Sequence, residues 1–146
     1  MLNLSKFSER LSELYEENNL DAVTLAEAIG VHRNTIHRYL AGSKAPTLKS
    51  ALKLADYFNC SIEFLLGRTD SNNLHQYKDL PSFSERLKFL FVYFGSNEYR
   101  FAKDTKISRS STYDWLSGKR IPSLDNIVKI AEYFDCTVDF VIGREK

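Results

Sequence analysis

Only two cysteines, three prolines and six glycines occur among the 146 residues. Two thiols cannot build a disulfide framework, so a reducing cytoplasm is the expected setting. With so little proline and glycine, and no biased tract, no stretch reads as disordered by composition, and the whole chain is expected to fold. Long apolar runs are missing too. The longest, Phe89 to Phe94, has six residues, against the ~20 that a membrane-spanning helix needs, so a transmembrane protein is excluded. A secretion signal is not expected, because Glu9, Glu13, Glu16 and Glu17 interrupt the N-terminal segment where such a signal stays apolar. Neither sign of charge is in excess: 20 Lys and Arg against 19 Asp and Glu give a net +1. There is no phosphate-cradling glycine loop, no Ser-His-Asp arrangement and no paired-cysteine motif, so neither an enzyme nor a cofactor is expected. His32 and His37 stand five apart rather than at the same-face spacing of a helical metal pair, and no metal is expected.

What the chain does contain is a repeat of itself. The segment FSERL at Phe7 to Leu11 returns at Phe83 to Leu87, an offset of 76 that then holds without a gap. Aligning 7–70 with 83–146 gives 20 identities in 64 positions, among them Gly42 with Gly118, Pro46 with Pro122 and Gly67-Arg68 with Gly143-Arg144. Two related domains follow, residues 1–68 and 82–146, joined by a polar linker over 69–81 that ends at Pro81. Domains this small bury only about 60% of their unfolded surface, which favours pairing with another domain or another chain.

Each repeat reads as five short helices. Phe7, Leu11, Leu14 and Tyr15 recur at helical spacing, and Asp21 and Gly30 bracket a second helix. His32 caps a third, Thr47 a fourth and Ser61 a fifth. The fourth carries an apolar stripe of Leu48, Ala51, Leu52, Ala55 and Phe58. In the second repeat Ser82 and Glu85 form a capping box, and Ser123 and Thr137 cap later helices. No segment alternates like a strand, so the fold class is all-α.

The balanced net charge hides a local asymmetry. Between Ala28 and Ala55 stand Arg33, Arg38, Lys44, Lys49 and Lys53, with no Asp or Glu. Such segregation builds a positive face of the kind that phosphate backbones attract. On the third helix Arg33, Asn34, His37 and Arg38 lie at i, i+1, i+4 and i+5 and share one face, while Ile36, Tyr39 and Leu40 turn inward. Arg can donate two hydrogen bonds to guanine and Asn can pair with adenine, so these are candidate base readers. Thr35 and Lys44 are candidate phosphate contacts. Tyr39 and Trp115 match across the repeats and read as core, and Cys60 and Cys136 as small buried hydrophobes.

The segment from Leu25 to Arg68 resembles the Cro and phage-repressor (XRE-like) helix-turn-helix family, on the Leu25-Ala26 pair, the Gly30-Val31 turn, Ile36, the Gly42 and Pro46 spacing and the apolar fourth helix. The resemblance implies two lambda-repressor-like five-helix domains in tandem, each with its third helix in the major groove of double-stranded DNA. It places the base-contacting positions on Arg33, Asn34 and Arg38. Family members often carry Gln where Ala22 stands and Trp where Tyr39 stands. In the second repeat the resemblance is weaker. Arg109 and Ser110 fall on the base-reading positions, and Ser111, Lys119 and Arg120 on phosphate positions. Asp114 replaces Arg38, where it can accept from cytosine or simply pair with a nearby Arg, and Lys106 replaces the turn glycine.

The first helix changes character between repeats. Glu13, Glu16 and Glu17 become Phe89, Val92 and Tyr93, an apolar face expected to meet a partner: a second copy in a homodimer, or another domain of the chain. The functional expectation is a transcriptional regulator, of repressor type in bacteria or phage, with no membrane association. The alternative is a protein-interaction module, antitoxin-like or regulator-binding, whose working surface is that apolar face.

Overall fold

Helix starts are fixed by side-chain caps. A computed structural model describes residues 2–72 and 79–145. Within them each helix is preceded by a Ser, Thr, Asp, Asn or His whose side chain accepts a backbone N–H of the first turn. The first unit holds α1 (Leu4–Glu17), α2 (Ala22–Ile29), α3 (Arg33–Leu40), α4 (Leu48–Phe58) and α5 (Ile62–Leu65). The second holds α6 (Phe83–Tyr93), α7 (Glu98–Thr105), α8 (Arg109–Ser117), α9 (Leu124–Phe134) and α10 (Val138–Ile142). No strand occurs among the described residues, and the all-α expectation holds. Caps expected at His32, Thr47, Ser61, Ser82, Ser123 and Thr137 are all present. The boundary between the two units falls within 73–78. The polar stretch read as a linker runs through those positions and lies partly outside the described residues.

The repeated FSERL segment fastens the first helix of each unit to its third and fifth. Phe7 meets the ring of Tyr39 edge-on at 5.7 Å, and Phe83 meets Trp115 in the same way at 6.3 Å. The Ser8 hydroxyl donates to the carbonyl of Leu40 at 2.6 Å, and Ser84 donates to that of Leu116. Arg10 donates to the Phe64 carbonyl at 2.6 Å with its guanidinium 3.8 Å above the Phe64 ring. Arg86 repeats the bond to Phe140 through two nitrogens, at 2.9 and 2.6 Å. The serine bonds reach carbonyls at the ends of α3 and α8, where intrahelical donors run out, and the arginine bonds add a second donor to carbonyls that also accept from Gly67 and Gly143.

The repeated Gly-Arg closes each unit. Gly67 has φ +73°, and a β-carbon there would stand 3.0 Å from the backbone oxygen of Lys6, so only glycine fits. Arg68 reaches Glu63 at 3.1 Å, and Arg144 reaches Asp139 at 2.9 Å.

One packing expectation is corrected. On α4 the fully buried residues are Ser50, Ala51, Leu54 and Ala55, while Leu48, Leu52 and Phe58 are only half-buried. The helix packs against both α2 and α5, so its buried face turns toward Leu54 instead of following the stripe the spacing picked out. Tyr39 and Trp115 are core residues as expected, and Cys60 is fully buried while Cys136 is half-buried. Among the described residues no helix is long and apolar enough to cross a membrane, and no His, Cys, Asp and Glu cluster could hold a metal ion.

Candidate nucleic-acid interface

Two turns orient α3. Asp21 caps α2 by accepting from Thr24 N at 2.7 Å, and that bond holds its carboxyl below the ordinary carboxylate range. Gly30 ends α2 in the left-handed region, and His32 then starts α3 by accepting the N–H of Asn34 on its Nδ1 at 3.1 Å. Ile36 and Tyr39 are buried against the rest of the unit. With that side fixed inward, Arg33, Asn34, His37 and Arg38 are all exposed, and at ~100° per residue they span a sector of roughly 140°. Neither Arg33 nor Arg38 has an ion-pair partner among the described residues. Thr35 and Lys44 are half-buried at the edge of this face. The hydroxyl and N–H of Ser43 bond the Arg38 carbonyl at 3.2 and 3.0 Å, fixing the loop that carries Lys44.

The matching face of α8 is built differently. Arg109, Ser110 and Lys119 are exposed, and Ser111 is half-buried beside its cap Ser108. Asp114 accepts from Arg120 Nε at 2.9 Å, so an expected base contact and an expected phosphate contact are paired with each other. This is the second of the two roles the sequence allowed for Asp114. Tyr113, 63% exposed on the same face, escaped the sequence reading. The 76-residue offset was the signal for it, since it occupies the place of His37.

On α6 the apolar face is open: Phe89 is 42%, Tyr93 60% and Val92 85% exposed. Phe89 and Tyr93 stack at 5.5 Å, and Tyr93 lies 5.3 Å from Phe140 of α10. Arg86 sits 4.3 Å over the Phe89 ring, and burial lowers its pKa from the ordinary guanidinium value. Glu13, Glu16 and Glu17 make the equivalent surface of α1 acidic.

Comparison with known proteins finds one match in each unit. A family model described as helix-turn-helix matches residues 11–65 and again 98–141. The chain is 32% identical over 81 residues to the Uncharacterized HTH-type transcriptional regulator YobD of Bacillus subtilis, covering 55% of this chain and 72% of that relative. It is 32% identical over 66 residues to the Cryptic phage CTXphi transcriptional repressor RstR of Vibrio cholerae, covering 45% of this chain and 60% of RstR. With the HTH-type transcriptional regulator AnsR of Bacillus subtilis the identity is 33% over 60 residues, 41% of this chain and 52% of AnsR. The chain thus spans between half and three quarters of the length of these relatives. No solved structure matches it significantly.

Proposed function

The chain belongs to the helix-turn-helix family, and from that premise we propose that it is a sequence-specific transcriptional regulator of double-stranded DNA, acting as a repressor in the cytoplasm of a bacterium. The observation that carries this reading is the exposed face of α3, where two guanidinium groups, an amide and an imidazole stand together and, among the described residues, no carboxylate is bound to either arginine. Arg33, Asn34, His37 and Arg38 read base edges in the major groove, and Thr35 and Lys44 hold phosphates. In the second domain Arg109 and Ser110 face bases, and Ser111 and Lys119 face the backbone. Arg120, paired with Asp114 in the free protein, exchanges that carboxylate for a phosphate when DNA binds. Residues 1–68 and 82–146 are the two DNA-binding domains, and 69–81 is the connection.

The face of Phe89, Val92 and Tyr93 is the surface on which a second copy docks. Two aromatics contribute about 150–250 Å² each when buried, and a dimer brings two copies of the α3 face to one duplex. Such a dimer calls for an operator of inverted symmetry, with half-site centres ~34 Å apart or a multiple of that. Selection from random DNA with the full chain, followed by sequencing of the bound pool, is expected to return inverted repeats. Recovery of a single asymmetric site with unlike halves would mean that one chain uses α3 and α8 together. No enrichment at all would end the DNA-reading proposal.

The dimer has its own test. Phe89→Glu with Tyr93→Glu replaces exposed rings by charge, so the fold should survive while the mass in solution halves. An unchanged mass, measured by light scattering across micromolar concentrations, would mean that this face does not join two copies.

A further inference from the structure

A surface groove of about 400 Å³ runs along the turn between α7 and α8 of the second unit, lined by Tyr99, Ala102, Lys103, Lys106, Ile107 and Arg109. Its three charged residues are all cations, and none has an ion-pair partner among the described residues. The adjacent acid in sequence, Asp104, is engaged elsewhere: the Tyr133 hydroxyl donates to its carboxylate at 2.7 Å.

Lys106 stands where the first unit has Gly30, and its backbone is left-handed, with φ +60°. Every other non-glycine residue at positive φ among the described residues is Asn or Asp, the two types whose short polar side chains tolerate that region. A β-carbon on lysine crowds the following carbonyl there, a strain that glycine would relieve. Strain kept where a strain-free residue is available points to a use for the side chain. The neighbouring substitution has the same sign, because Lys103 stands where the first unit has Glu27. The first unit brings a cation to its own turn by another route: the ammonium of Lys53 lies 3.4 Å from where a β-carbon on Gly30 would stand. Finally, the groove adjoins the DNA-reading face through Arg109, the first residue of α8.

We propose that Lys103 and Lys106 bind phosphates of the DNA duplex beside the bases that α8 faces, so that the second unit holds DNA chiefly by its backbone. This rests on the DNA-binding reading above and extends it to residues outside the third helix and its loop. A lysine ammonium is a compact point charge well suited to a phosphate oxygen. With Asp114 engaged by Arg120, the phosphate contacts carry more of this unit's affinity than base contacts do.

The test uses the full chain and a duplex selected by it from random DNA. Two variants return the turn to the first unit's residues: Lys106→Gly alone, and Lys103→Glu with Lys106→Gly. The log–log slope of affinity against salt should become shallower by about 0.9 for the single variant and about 1.8 for the pair, with affinity at 0.1 M salt down about 10-fold and about 100-fold. Lys106→Gly should melt at or above the native temperature, because it relieves the left-handed strain. That combination, weaker binding by a protein no less stable, is not what a purely structural lysine gives. Unchanged slopes in both variants, with selectivity still lost in Arg33→Ala plus Arg38→Ala, would overturn the phosphate role while keeping the DNA reading, and would leave the groove to an acidic segment of a protein partner. Shallower slopes with selectivity retained in the arginine variant would uphold the phosphate role and overturn base reading by α3.

Discussion

Arg33→Ala combined with Arg38→Ala should erase the preference for a selected duplex over a scrambled one. A good bidentate contact to a base pair is worth ~1–3 kcal/mol of discrimination. Two such contacts therefore set the expected loss between roughly 30-fold and roughly 10⁴-fold, each 1.4 kcal/mol being about a factor of ten. Both side chains are exposed and free of ion-pair partners among the described residues, so the melt should move by no more than about 0.5 kcal/mol. Competition binding at one fixed salt concentration reads the effect directly. Lys44→Ala is the contrast. As a phosphate contact it should weaken selected and scrambled duplexes alike and flatten the salt slope by about 0.9. A selected-to-scrambled ratio that survives the double arginine variant would remove α3 as the reading element.

Arg144→Leu is the substitution expected to damage the fold most. Arg144 and Asp139 pair at 2.9 Å with side chains only 3% and 1% exposed, so removing the cation takes this ion-pair partner from a buried carboxylate. Breaking a pair buried to that degree costs about 3–5 kcal/mol. A unit of about 65 residues is stable by only ~3–10 kcal/mol, so the second unit should be close to unfolding. The single tryptophan, Trp115, is buried in that unit, and its fluorescence reports the second unit's melt without interference from the first. At about 4–8 °C per kcal/mol for a domain this size, the Trp115 transition should fall by at least ~12 °C. Replacing both partners, Asp139→Leu with Arg144→Leu, should recover a large part of the loss, since no charge is then left buried. A shift of only a degree or two in the single variant would mean that water reaches Asp139 and the pair adds little.

Much of this molecule can be read from its residues in order, because the devices involved are local. Caps act within one turn, and so Thr47, Ser61, Ser82 and Ser123 mark helix starts correctly from sequence alone. Helical periodicity is local too, which is why Arg33, Asn34, His37 and Arg38 could be assigned to one face and Ile36 and Tyr39 to the other. Repetition points to the two units and to the ten helices found among the described residues. The FSERL segment, by contrast, was visible only as a recurrence. Its contacts join residues 32 to 54 apart in the chain, Ser8 to Leu40 and Arg10 to Phe64, and no local pattern encodes such distances.

The order of residues encodes the helices and the side of α3 that bears cations, since both depend on neighbours within about four positions, and the 76-residue offset alone reveals that the pattern recurs. Tertiary structure decided what each exposed group meets. It pairs Asp114 with Arg120 across a turn, rotates the buried face of α4 toward Leu54, and opens a groove between α7 and α8 where Lys106 holds a left-handed backbone. The physical reason is the same in all three cases. Loop direction and helix-on-helix packing set these encounters, and both are consequences of the whole unit minimising its exposed apolar surface rather than of any short stretch of residues.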